Sequence, residues 1–169
     1  MPDANLLVTF DPSHSGKAKE IVEAVLKEAG ETPEFLDCKI DGLFMLKVGD
    51  AKAAVKKLVG LCKKNKKKFE GTFKFIPIEK WTSSKIEDMQ ATIKELQKGI
   101  SADEKWKMDL GKRQTEHHEK DLIIKLTEPI DKPNVDLKAP DKIMKVEIVG
   151  EDTGLSLLTP DELLDTQKI

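Results

Sequence analysis

Arginine is almost missing from this sequence: Arg113 is the only one, and every other cation is lysine. A chain that carries its positive charge on lysine uses compact, strongly hydrated point charges. A single guanidinium, flat and able to form two parallel hydrogen bonds, therefore suggests a geometric need at one place. Cysteine is scarce as well. Cys38 and Cys62 lie far apart in regular-looking segments, which fits reduced, buried thiols and argues against a disulfide framework. Together with His117 and His118 they show no paired-cysteine spacing, so no metal site is expected. No apolar run approaches the roughly 18 residues of a membrane span. Residues 1–20 also lack the basic start and apolar run of a secretory signal, so the expected compartment is cytoplasmic, with no membrane partner.

A glycine-rich phosphate loop is also lacking. Ser15-Gly16-Lys17 follows a strand-like run, where a nucleotide-binding loop would stand. The glycine four residues earlier is absent, and Ala18 replaces the Mg²⁺-binding hydroxyl. An ordinary helix start capped by serine explains the stretch, and a small nucleotide-dependent enzyme using the Ser13–Lys17 loop is the alternative. No cofactor is expected.

What is present is an ordinary soluble composition, 38% hydrophobic over 169 residues, enough for one core or two small ones. The net charge of −2 hides an uneven distribution. Residues 51–69 hold eight lysines and no acid, whereas residues 151–169 hold five acids and one lysine. Phosphate attraction acts over about 8–10 Å at ordinary salt, so RNA binding needs a local basic face and not a basic total.

Hydrophobic periodicity gives the order of elements. Asn5–Phe10 reads as a strand, and Ala18, Ile21, Val22, Val25, Leu26 and Ala29 as a helix face closed by Gly30. Phe35–Ile40, Asp41-Gly42 and Leu43–Val48 read as a tight hairpin. Asp50 caps a second helix facing inward through Ala54, Val55, Leu58, Val59 and Cys62, and Thr72–Ile78 returns to a strand. The β-α-β-β-α-β order is the ferredoxin-like arrangement. After a hinge over 77–84, a capping box at Ser84 starts a helix through Ile86, Met89, Ile93 and Leu96, ended by Gly99. A helix over 116–126 with Leu122, Ile123 and Leu126 inward follows the next strand. Then come a short strand at Val135 and Leu137, strands over 143–149 and 154–158, and a terminal helix capped at Thr159-Pro160-Asp161-Glu162. The expected fold class is α/β (α+β), with a ferredoxin-like domain over 1–79 and a second α/β domain over 80–169.

The junction after Lys105–Leu110 draws the functional argument. Trp106, Met108 and Leu110 alternate onto one face, and Gly111 is expected to end the strand. Lys112 and Arg113 then precede Thr115, an expected N-cap, so two cations and a row of helix N–H groups could face one anion. The candidate RNA-binding residues are Lys107, Lys112, Arg113 and His117 here, with Lys63, Lys64, Lys66 and Lys67 in the lysine tract. A structural arginine paired with Asp109 or Glu116 is the competing explanation for Arg113.

The strand ending at Lys112-Arg113, the helix Asp121-Leu122-Ile123-Ile124, then Val135-Asp136-Leu137, Pro140-Asp141-Lys142 and Val146-Glu147-Ile148 resemble a THUMP domain. The resemblance covers about residues 80–158, and the half before it is similar to the ferredoxin-like domain that often precedes THUMP. It implies tRNA binding at the acceptor end. Chains with these two domains look most like the adaptor that helps an RNA acetyltransferase make acetylcytidine in tRNA, so tRNA and such an acetyltransferase are the implied partners. Gln114 stands where a further arginine often follows the Lys-Arg pair.

No nucleophile with its base and no converging carboxylates stand out. Asp11, Ser13 and His14 share one loop, which turn chemistry explains. With two small folds filling the chain and no room left for a methyltransferase or acetyltransferase domain, the expectation is a non-catalytic adaptor, and a protein-binding scaffold is the other alternative.

Overall fold

The computed structural model describes all 169 residues and divides into two compact units: residues 3–78 with 161–169, and residues 1–2 with 79–160. In the first unit β1 (Leu6–Phe10), β2 (Glu34–Leu36), β3 (Leu43–Lys47) and β4 (Thr72–Pro77) form an antiparallel sheet in the order β2-β3-β1-β4. Helices α1 (Ser15–Glu28) and α2 (Ala51–Lys64) complete the ferredoxin-like βαββαβ order read from the sequence. Each helix buries one stripe, Ala18, Val22, Val25 and Leu26 on α1 and Ala54, Val55, Leu58 and Cys62 on α2. These pack with Leu6, Val8, Leu46 and Phe75 of the sheet into one core. A fully buried aliphatic or aromatic side chain of this kind contributes about 1.5–3 kcal/mol. The Asp50 carboxylate accepts from Ala53 N–H at 3.1 Å, as a capping residue should.

Two elements of this unit differ from the sequence reading. Asp41-Gly42 does not make a two-residue hairpin. The pairing Leu36↔Met45 leaves a loop over 37–42, and of the two residues only Gly42 has positive φ, at 78°. The type I′ turn that Asp-Gly favours needs both central residues there. Residues 161–169, grouped by sequence with the second half, return to the first sheet. Strand β9 (Leu164–Asp165) lies antiparallel to β4 with Leu164 opposite Phe75, and short 3-10 turns at 160–162 and 166–168 replace the expected terminal helix. Leu164 is buried in the first core, and that burial outweighs the local helix-start chemistry.

In the second unit β5 (Lys80–Ser83), β6 (Trp106–Arg113), β7 (Lys142–Val149) and β8 (Asp152–Leu158) form a mixed sheet ordered β5-β8-β7-β6. Only β6 and β7 are parallel. Helices α3 (Ile86–Leu96) and α4 (Glu119–Thr127) contribute Met89, Ile93, Leu122 and Leu126 to a core with Trp106, Met144, Val146, Ile148 and Leu155. The stretch 80–83, expected within a hinge, is strand. Helix α3 starts at Ile86 with no side-chain cap, because Ser84 Oγ bonds Thr153 Oγ1 at 2.8 Å instead. Ile123 is not inward but 43% exposed. Val135 makes only an isolated bridge to Trp106, and both Val135 and Leu137 are exposed.

Candidate nucleic-acid interface

The expected anion site at the Lys112-Arg113 junction is not built. The strand does not stop at Gly111 but continues to Arg113, and α4 begins only at Glu119, with His118 and not Thr115 in the N-cap position. Successive side chains of a strand point to opposite faces. Lys112 therefore shares the face of Trp106, Met108 and Leu110, while Arg113 shares the other with Lys107, Asp109 and Gly111. The two cations cannot converge on one anion. Lys112 Nζ donates to the His117 carbonyl at 3.2 Å, and His117 Nε2 meets the Ser84 carbonyl at 3.0 Å. A carbonyl only accepts, so that contact places the ring proton on Nε2.

Arg113 is neither free nor paired with Asp109 or Glu116. Its Nη1 donates to Glu147 Oε2 at 2.8 Å, and the other oxygen of Glu147 holds Lys145 Nζ at 2.5 Å. Lys145 also lies 3.5 Å from Asp109 Oδ1. Glu147 is 2% exposed and Lys145 1%, against 26% for Arg113. Two cations and two carboxylates thus balance on one face of β6 and β7. The register explains Gly111: it stands opposite Glu147, and a Cβ there would lie 2.7 Å from the Glu147 carboxyl carbon. A missing side chain lets the carboxylate lean between Lys145 and Arg113.

Gly111→Ala is accordingly expected to cost about 1–3 kcal/mol, the range for forcing a methyl into filled space. Chemical denaturation reads this as a lower midpoint. An unchanged midpoint would mean that Glu147 swings aside freely and that the glycine has another cause.

Beside the junction, loops from the ends of β5, β6 and β7 enclose an open cleft of about 770 Å³. Lys85 faces Glu116, Glu151 and Asp152 there, so carboxylates outnumber the one lysine and the cleft disfavours phosphate. This acidity could have been read from the sequence had the three loops been known to meet.

The lysine tract is arranged differently. Lys63 and Lys64 occupy the last turn of α2, and Lys66 and Lys67 lie in the 3-10 turn after Asn65. Lys68 pairs with Glu28 at 2.8 Å, Lys56 with Glu162 at 3.9 Å, and Lys57 donates to the Ala29 carbonyl at 3.3 Å. Lys63, Lys64, Lys66 and Lys67 have no such partner, and all four are exposed. They form a local cluster of uncompensated positive charge.

The Ser13–Lys17 loop is occupied by its own anion. Asp11 accepts from Ser13 N–H at 3.0 Å and from Ser13 Oγ at 2.7 Å, which holds its carboxyl below the ordinary range, and these are donors a phosphate would use. Ser13, His14 and Asp11 do touch. Both histidine contacts use Nδ1, however, whereas a relay needs serine on one ring nitrogen and aspartate on the other. Asp136, in the segment that resembles THUMP, accepts from Lys138 and Ala139 N–H, and these bonds keep its carboxyl below the usual value. Asp141 accepts from Lys105 N–H. Both aspartates shape turns. No group of three or more His, Cys, Asp and Glu side chains could hold a metal, and no helix is long and apolar enough to cross a membrane.

No family model and no curated protein matches the chain. Solved structures do. PH1313 from Pyrococcus horikoshii Ot3 aligns over 92% of this chain and 55% of its own, with 14% identity and a TM-score of 0.61. A predicted N6-adenine-specific DNA methylase from Listeria monocytogenes aligns over 91% and 40%, at 10% identity and 0.57. SMU.472, assigned as a methyltransferase and complexed with SAH, aligns over 93% and 42%, at 10% and 0.56. These likenesses establish the fold. The mixed α/β class expected from the sequence holds, and this chain spans about half the length of the proteins it matches.

The expectation of a non-catalytic protein is overturned. The fold is one that methyltransferases carry, and they carry it within chains about twice as long. The absence of a catalytic constellation among these residues, and the room the two units take up, therefore cannot be read as absence of catalysis.

Proposed function

We propose that this chain binds tRNA in a tRNA-modification system, gripping the phosphate backbone with the lysine end of its ferredoxin-like unit. The observation that carries the reading is the cluster of four exposed, unpartnered lysines, Lys63, Lys64, Lys66 and Lys67, in a segment without an acid. Such a cluster supplies sequence-independent, salt-sensitive affinity for phosphate. The resemblance of residues 80–158 to THUMP supports tRNA as the nucleic acid, and the likeness to methylases supports modification as the setting. In its finer form, which rests on the resemblance alone, the chain presents tRNA to an acetyltransferase that makes acetylcytidine.

Lys107, Lys112, Arg113 and His117 take at most a minor share, because Lys112, Arg113 and His117 are already engaged inside the second unit. Arg113 has one prong on Glu147 and a quarter of its side chain exposed, so its charge is largely answered inside the protein. Arg113→Ala should lower stability by about 1.5–3 kcal/mol, the scale of a hydrogen bond between charged groups. It should cost tRNA affinity no more than a few-fold. Melting and gel shift on the same variant check both, and lost binding with an unchanged melting temperature would move the centre of function back to the junction.

The reading itself is tested by gel shift of the purified chain with tRNA at two salt concentrations. Binding that weakens steeply with salt supports it. No binding at low salt, together with a protein partner captured equally well after RNase treatment, would replace it with the scaffold alternative.

A further inference from the structure

We infer that the first unit carries a subsite for one unpaired nucleotide, formed by Phe73 beside Lys66 and Lys67; this rests on the RNA-binding reading above. A cavity of about 400 Å³ opens here, lined by Lys66, Lys67, Glu70, Phe73 and Gln167, with Phe69 and Thr166 also contributing. That volume admits a base and its sugar.

Phe73 is the unusual member. Phe69 and Phe75 beside it are fully buried and meet edge to face at 5.9 Å, as core aromatics do. Phe73 lies only partly covered and outside that core. The cause is a break in the β1–β4 ladder, where the register shifts between Thr9 and Phe10: Thr9 stands opposite Lys74, Phe10 opposite Thr72, and Phe73 is left without a partner. An irregularity of this kind re-aims a side chain, here into the cavity and not into the core. The Thr166 hydroxyl, bonded to the Thr72 and Phe73 carbonyls, pins that backbone from the β9 side.

The lining matches a nucleotide part by part. An aromatic face stacks on any base. Lys66 and Lys67 stand at the same cavity without an ion pair of their own, where a backbone phosphate would lie. Glu70 offers an acceptor to an exocyclic amine, and the Gln167 side-chain amide, which makes no bond to the protein, offers one donor and one acceptor group to a base edge. A duplex cannot use such a site, since its bases are stacked on one another. A single-stranded end or loop can.

The experiment compares an eight-nucleotide single-stranded adenosine oligomer with a blunt RNA duplex of similar phosphate count, on the full chain. Phe73→Leu keeps an apolar side chain but removes the ring. It should weaken single-strand binding on the order of ten-fold, the scale of one base–aromatic stack, and leave duplex binding unchanged because the lysines remain. Phe73→Trp should retain single-strand affinity, with fluorescence quenched by the oligomer and not by the duplex. Equal affinities for wild type and Phe73→Leu, or no quenching in Phe73→Trp, would overturn the subsite while leaving RNA binding intact. Wild-type protein that binds neither RNA would overturn the RNA-binding reading and the subsite with it.

Discussion

Glu147→Gln is expected to destabilise the protein by about 3–5 kcal/mol, the range for removing one partner of a buried ion pair. The substitution keeps shape and volume and removes only charge. Lys145, at 1% exposure, then has Asp109 at 3.5 Å as its one remaining carboxylate, and Arg113 loses its counter-charge, keeping at best an amide oxygen as acceptor. An ammonium that cannot reach water and keeps only one, partly exposed carboxylate at 3.5 Å is the costly species, more so than a missing attraction. The converse follows. Lys145→Met in the Glu147→Gln background should recover part of the loss, because the stranded charge is gone and a thioether fills similar space. Denaturant unfolding of wild type, single and double variants forms the cycle. A single-variant loss below ~1 kcal/mol, or a double variant no better than Glu147→Gln, would show that the four groups do not act as a unit.

This network was the part of the candidate site least legible in the sequence. Strand parity was readable, and it placed Trp106, Met108 and Leu110 correctly toward the core. The partner of Arg113 lies 34 residues away on a parallel neighbour, and no local pattern announces a parallel pairing. Gly111 was misread for a related reason. Within a sequence a glycine after alternating residues looks like a stop, whereas here it makes room for a side chain from the adjacent strand. The first unit was far more legible, because both helices carry complete apolar stripes and Asp50 caps α2 as its chemistry suggests. Its one hidden strand, β9, consists of two residues. That is too short to show any period, and the capping-box residues before it form only a 3-10 turn. Phe73 was hidden by alternation itself: it shares parity with buried Phe75, and only the shifted register separates their fates.

Replacing Lys63, Lys64, Lys66 and Lys67 together by glutamine should produce the largest loss of RNA affinity. Each phosphate contact contributes about 0.7–0.9 to the slope of log K against log salt, so losing four should flatten that slope by roughly 3. A slope of 3 corresponds to about a 60-fold change in affinity between 50 and 200 mM salt, and that share of the salt sensitivity should vanish. The loss should be alike for tRNA and for unrelated RNA, because backbone contacts carry no sequence information. Stability should change little. Lys63 and Lys64 sit in the last turn of α2, where a cation gains only about 0.3–1 kcal/mol from the helix dipole, and all four side chains are exposed. Lys68→Gln is the matched control, since its charge is already engaged by Glu28 at 2.8 Å and should contribute less. Gel shifts over a salt series, with melting measured alongside, separate the outcomes. If the fourfold variant keeps both affinity and slope, the tract is a solvated helix end and RNA must be sought elsewhere on the molecule. If Lys68→Gln alone matches the fourfold loss, the effect comes from disturbing the pair with Glu28 and not from a phosphate-binding face.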